Sequence, residues 1–232
     1  MEQFPIREMV PLMIDDFKPH IWPISNQDLI NNQQILDSLS INIYSKGASL
    51  LRLLEYITEA DAFQSAVQSI VPIDDPSSVL NTFYSNFAPI LNTTTTVEEF
   101  LRPWLEERNY PIVKIDFIPQ NATYQDTTII FRQNPYLGSF GNTPNVTWNI
   151  YIECDLGGFH ENTTWDLTAN YTSSKIRFLF DSSTQTFQFT ESYLWIKCNK
   201  NFYSYQVTEY ISDGDDPHGL WRNFDIIFNE VG

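Results

Sequence analysis

The sequence predicts a two-domain α+β chain: a helical segment over residues 1–111, then an antiparallel β-sandwich over 112–232. Three observations carry this expectation. Apolar residues recur at helical spacing through the first half. Proline and Thr/Glu punctuation falls where such helices should start and stop. At Ile112 the texture changes to short alternating and β-branched runs, divided by turns rich in Asn, Gly, Ser and Pro.

Taken in order, residues 1–40 read as polar connections between short helices. Met9 to Phe17 has apolar residues at 9, 10, 12, 13, 14 and 17, interrupted by Pro11. From Lys46 to about Thr58 the sequence predicts a buried helix, because Ala48, Leu50, Leu51, Leu53, Leu54 and Ile57 cover most of its circumference. Arg52 and Glu55 mark its wet edge. A second helix is expected from Asp61 to Ile70, with Phe63, Ala66, Val67 and Ile70 on one face and Pro72 closing it. Pro76 opens a third, striped by Val79, Leu80, Phe83, Tyr84 and Phe87. Thr96 and Glu99 form a capping-box pair, so a fourth should begin near Val97 and kink or end early at Pro103. Strands are expected at Val113–Ile118, Thr127–Arg132, Val146–Ile152, Ile176–Phe180, Phe187–Phe189, Leu194–Cys198 and Tyr203–Val207. Short strands at this spacing predict a β-sandwich.

The chain of 232 residues is long enough for a sizeable core, and 15% of it is aromatic. A formal charge of −16 argues against nucleic acid, whose phosphates would be repelled, and against docking on an anionic membrane. No run of about 18 apolar residues exists, so no transmembrane segment is expected. Met1-Glu2-Gln3-Phe4-Pro5 lacks the basic start and apolar stretch of a signal peptide. Yet five N-x-Ser/Thr acceptors are present, at Asn92, Asn121, Asn145, Asn162 and Asn170, a density that fits a secreted or lumenal surface. Cys154 and Cys198 are the only cysteines; they sit in two strand-like segments and suit one cross-strand disulfide in an oxidising compartment, with two buried free thiols as the alternative. An extracellular texture without an export signal fits a piece of a longer exported protein or a shortened product.

Chemistry-bearing motifs are few. The histidines are His20, His160 and His218, and no two have ligand spacing. Asp15-Asp16, Asp74-Asp75 and Asp215-Asp216 read as solvated turns. No nucleophile motif and no glycine-rich phosphate loop occurs.

One stretch stands apart. Ile43-Tyr44-Ser45-Lys46-Gly47-Ala48-Ser49 leads straight into an apolar helix. Gly47 and Ala48 let a neighbouring backbone approach, and the Tyr44 phenol could donate to an oxyanion in the space so left. This stretch resembles the tyrosine segment of the zinc aminopeptidases related to aminopeptidase N, whose Tyr stabilises the tetrahedral intermediate of peptide hydrolysis. A second match runs from Phe100 through Trp104 to Asn109-Tyr110-Pro111-Ile112-Val113 and resembles that family's Trp-containing helix before its next domain. Thr127 to Pro135, Trp148 to Ile152 and Tyr193 to Val207 resemble strands of the family's sandwich domain, with a glycine missing and Gln206 in place of an Arg. Trp221 to Phe228 is similar to the short helix beyond it.

The family's zinc is held by a His-Glu-x-x-His helix and a later Glu, and a Gly-x-Met-Glu-Asn strand grips the substrate amine; none of these occurs here. The resemblance thus implies Tyr44 as the one catalytic residue carried over, with Lys46 and Gly47 as framework and no cofactor in this chain. The expected function is a truncated or partial aminopeptidase homologue without activity as an isolated chain, or a piece of a longer active enzyme. Peptide substrate is expected only if the zinc site is supplied elsewhere. The helical part should expose an apolar face unless a partner or the remainder of a longer chain covers it. The alternatives are a non-catalytic secreted binding module and an unrelated glycosylated α+β domain.

Overall fold

The computed structural model describes residues 23–25, 31–34, 41–120, 126–136, 146–158, 172–199 and 202–211. Among these, the helical part holds α1 (Ile41–Thr58), α2 (Ala60–Ile70), α3 (Pro76–Tyr84), a 3-10 turn (Ile90–Asn92) and α4 (Val97–Glu106). The sequence-based reading of Met9–Phe17, and of the segment Trp221–Phe228, lies outside the described residues.

Helix α1 departs from expectation in two ways. It begins at Ile41 rather than Lys46, so Tyr44 lies inside the helix and not before it. It is also not buried all round: Ala48 is exposed and Leu51 is 46% exposed, while Leu50, Leu53 and Leu54 are buried. A helix covered on one side exposes the opposite side whatever its composition, and apolar content alone does not say which side is covered. Leu80 on α3 and Val67 on α2 are likewise exposed rather than part of a buried stripe. Phe87 lies past the end of α3 but still packs on Phe83, with ring centroids 5.1 Å apart.

Helix α4 starts as expected. The Thr96 hydroxyl accepts from the Glu99 N–H, and the Glu99 carboxylate accepts from the Thr96 N–H at 2.9 Å. Pro103 neither stops it nor leaves a debt. A proline has no N–H to give the carbonyl four residues back. That carbonyl, Glu99 O, instead accepts from the Asn149 side-chain amide at 2.7 Å. The Trp104 indole N–H donates to Asn149 O at 2.9 Å. Asn149 therefore clamps α4 to the β part from both sides of one residue.

The strands are β1 (Pro111–Ile118), β2 (Thr127–Pro135), β3 (Ile150–Gly158), β4 (Thr172–Phe180), β5 (Thr184–Phe189), β6 (Trp195–Cys198) and β7 (Val207–Ile211). They form one sheet in the order β5-β2-β1-β7 and another in the order β4-β3-β6. The expectation of a wholly antiparallel β part is corrected by β1 and β7, which pair in parallel from Ile112↔Val207 to Asp116↔Ile211. A parallel pair needs a crossover, and here the whole of the other sheet lies between the two strands in sequence. Pairing partners so remote carry no local turn signal.

Strand β1 alternates buried and half-buried residues, as a period of two requires, with Val113, Ile115 and Phe117 inward. The sheets meet through aromatic contacts: Phe131 of β2 lies 5.1 Å from Phe178 and 6.3 Å from Phe180 of β4. Buried residues of the helices and of both sheets belong to one cluster, including Leu53, Phe100, Trp104, Ile115, Phe131 and Phe180.

Strands β4 and β5 begin earlier than expected, at Thr172 and Thr184, and two stretches expected as strand are not. Val146–Asn149 precede β3 rather than open it. The Gln133 side chain takes over there: its amide donates to Trp148 O and its oxygen accepts from Trp148 N–H, which satisfies that backbone without a neighbouring strand. Ser204–Gln206 form a bend and Tyr203 lies outside any strand; Asn199 holds the bend, its amide donating to Ser204 O and its oxygen accepting from Ser204 N–H. In the pair Gly157↔Trp195 the indole occupies the place a Cβ would take, so no larger residue fits position 157 without moving the ring.

Candidate functional site

The tyrosine segment forms the first turns of α1. Tyr44 is 66% exposed. With Gly47, Ala48 and Leu51 it falls at positions i, i+3, i+4 and i+7, which is one stripe of the helix. A Cβ added at Gly47 would meet no described atom within 4 Å. Gly47 is half-buried with room beside it among the described residues, and Tyr44, Ala48 and Leu51 are exposed along the stripe.

Lys46, two residues on from Tyr44, points the other way. It is only 2% exposed, and its ammonium donates to Asn109 O at 3.1 Å and to Glu107 O at 3.3 Å. It also lies over the Tyr205 ring, 5.7 Å from the centroid. These carbonyls belong to the turn that leads from α4 into β1, which contains Asn109 with φ 66. Lys46 thus ties α1 to the junction of the helical and β parts. Replacing it with Met keeps the stem but leaves the two carbonyls without this donor. We expect Lys46→Met to lower stability by about 2 kcal/mol in urea unfolding, and a change below about 0.5 kcal/mol would show that the junction does not depend on it.

The densest polar cluster was not foreseen. Glu153 of β3 accepts from Tyr56 OH of α1 at 2.8 Å, Tyr151 OH at 2.7 Å, Arg177 Nε at 2.8 Å and Lys175 Nζ at 3.0 Å. Burial acts to raise this carboxyl; the bonds from Tyr151, Lys175 and Tyr56 and the charge of Arg177 outweigh it and hold the pKa at about 2. Burial first, then the bond to Glu153, raises the Tyr56 and Tyr151 phenols. The cluster is saturated with donors of its own, so it is built to fix α1 on β3 rather than to bind a ligand. A faint signal was present in the sequence: Glu153 and Asp155 alternate on one strand, Lys175 and Arg177 on another. Only the register, Glu153↔Arg177 and Asp155↔Lys175, makes them partners.

A second layer completes the seat of α1. The Tyr56 ring stacks on Tyr203 at 3.8 Å with planes 7° apart. Arg52 lies over the same Tyr203 ring at 4.4 Å and donates to Phe202 O at 3.0 Å. Arg52, expected on the wet edge, is therefore engaged by the turn before β7.

Cys154 and Cys198 are joined in a disulfide, directly opposite each other in the β3–β6 register. Of the five sequons, Asn121, Asn145, Asn162 and Asn170 lie outside the described residues, and Asn92 ends the 3-10 turn with its side chain undescribed. His20, His160 and His218 also lie outside them. Among the described residues no group of three or more His, Cys, Asp or Glu side chains is placed to hold a metal ion. Among them, too, no helix is long and apolar enough to cross a membrane.

No family model matches the chain. It is 25% identical to glutamyl aminopeptidase of Rattus norvegicus over 181 residues, which cover 75% of this chain and 18% of that protein. It is 25% identical to glutamyl aminopeptidase of Homo sapiens over 158 residues, covering 66% of this chain and 15% of the relative. The chain spans less than a fifth of the length of these curated relatives. These matches support a distant aminopeptidase relationship.

Proposed function

We propose that this chain is a partial homologue of the zinc aminopeptidases, comprising the last helices of a catalytic domain (1–111) and a β-sandwich domain (112–232), and that alone it does not hydrolyse peptides. One observation carries the reading. The segment that resembles the family's tyrosine motif splits into two faces, with Lys46 buried in the junction and Tyr44, Ala48 and Leu51 exposed. A framework residue is engaged as a framework residue should be, and among the described residues the face bearing the phenol is exposed at Tyr44 and Leu51. The distant relationship to glutamyl aminopeptidase supports the same reading.

The zinc that the family uses does not fit the residues of this chain. The sequence has no His-Glu-x-x-His helix and no pair of His at ligand spacing. No catalytic step is therefore assigned to the chain. Where a longer chain or a partner supplies the metal-binding helix, Tyr44 is the residue of this piece that would donate a hydrogen bond to substrate oxygen. The test is zinc content by elemental analysis with hydrolysis of aminoacyl chromogenic substrates. We expect no stoichiometric zinc and no turnover; one bound zinc per chain with turnover refutes the inactive reading.

A second reading is favoured by the same open stripe: a non-catalytic binding module whose helical face is covered by a protein partner. Light scattering at several concentrations separates the two. A clean monomer that binds no apolar dye argues against an obligate partner. The disulfide is compatible with an extracellular or lumenal location, and the sequons would be used there.

A further inference from the structure

We propose that the Cys154–Cys198 disulfide is a redox latch that seats the C-terminal half of α1 on the β part. The contacts form a continuous chain. Cys198 ends β6, a four-residue strand whose ladder partner among the described residues is β3. The next residue, Asn199, donates its N–H to Glu153 O at 3.0 Å and has φ 52. Asn199 fixes Ser204 through two side-chain bonds. Between them Phe202 presents its carbonyl to Arg52, and Tyr203 presents its ring to both Arg52 and Tyr56. From the other side, Tyr210 of β7 accepts from the Cys198 N–H at 2.8 Å.

So short a strand has little pairing of its own to hold it. The disulfide closes a separation of 44 residues and restricts how far β6 can part from β3. A dithiol supplies two electrons and two protons, breaks the S–S bond to two thiols and itself closes to a cyclic disulfide. Opening of β6 then carries Asn199 and the turn at Phe202 and Tyr203 away together, while Tyr205 stays buried against Trp104 and Tyr110. Arg52 and Tyr56 lose Tyr203, while Tyr56 keeps Glu153 of β3. The C-terminal half of α1 then keeps Glu153 but loses the turn before β7.

Coupling of this kind is reciprocal. Cys154 and Cys198 are buried, so attack on the disulfide waits for β6 to open, and loosening the α1 contacts must hasten it. The experiment measures the rate of reduction of the folded full chain by dithiothreitol, by trapping free thiols, alongside amide exchange over residues 50–58. With the disulfide intact, the double variant Arg52→Ala/Tyr203→Leu is expected to be reduced about five- to tenfold faster than the parent. Phe63→Leu, in α2, serves as a control for simple loss of stability. Reduction of the parent should raise exchange over 50–58 several-fold and leave α2 unchanged. Rates for the double variant within about twofold of the parent overturn the latch, as does equal acceleration by Phe63→Leu. Exchange over 50–58 that ignores the redox state also overturns it. Because each arm starts from the disulfide-bonded protein, the result does not depend on whether cysteine variants fold.

Discussion

Glu153→Ala is expected to destabilise the protein by about 3 kcal/mol, lowering Tm by roughly 6–12 °C for a chain of this size. The substitution leaves the Tyr56 and Tyr151 hydroxyls of the α1–β3 contact without their acceptor. The cations matter less. Lys175 and Arg177 are 44% and 52% exposed, so water replaces the carboxylate for them. Arg177→Ala should therefore cost less than about 1 kcal/mol, and a larger cost would mean that charge rather than the phenols holds the helix.

The same group sets an acid limit. Its folded pKa of about 2 lies below its ordinary value of 4.5. The lowered value means that the carboxylate form is the one the fold favours. Its contribution is complete above 4.5, declines as the pH falls and is gone below about 2. Across that window the parent should lose about 3 kcal/mol from this group alone. Glu153→Gln, which cannot titrate, should show a correspondingly shallower loss in denaturant titrations at several pH values. Parallel slopes for the two proteins would show that Glu153 does not carry the linkage.

Trp104→Ala is expected to cost more, about 4 kcal/mol. Trp104 is fully buried, 6.3 Å from Trp148 and 6.4 Å from Tyr205 by ring centroids, and its N–H bonds Asn149 O. It belongs to a helix but packs on β-part residues. Its loss therefore tests the division at residue 111. If the helices and the sheets unfold as one unit, a single transition moves down as a whole. If they are separate domains, the transition splits, and near-ultraviolet and far-ultraviolet circular dichroism no longer coincide. The shared core and the Asn149 clamp lead us to expect one transition.

Much of the fold could be read locally. The capping box at Thr96 and Glu99, the helix opening at Pro76 and the inward alternation of β1 are written in residues a few positions apart, and each formed as read. What misled were positions whose role depends on something distant. Leu51 looked like core because it is apolar, and Arg52 looked solvated because it is charged. Arg52 does remain part-exposed, but Tyr203 and Phe202 O in the turn before β7 also engage its guanidinium. Val146–Asn149 looked like strand, but the backbone of Trp148 bonds the Gln133 side chain instead. Pro103 read as a kink or an early end, but the helix runs on to Glu106 and Asn149 supplies the missing donor.

The amino-acid order by itself determined where α2, α3 and α4 begin and the change of texture at Ile112, because these rest on contacts within a turn or two of the chain, and it carried the tyrosine segment with its resemblance to an aminopeptidase. Only the tertiary structure decided that β1 pairs in parallel with β7, that Glu153 joins two tyrosines to two cations, and that Lys46 is buried while Tyr44 is not. Each of those depends on register or on helix rotation. A shift by one residue would exchange the faces of a strand, and composition is blind to such a shift.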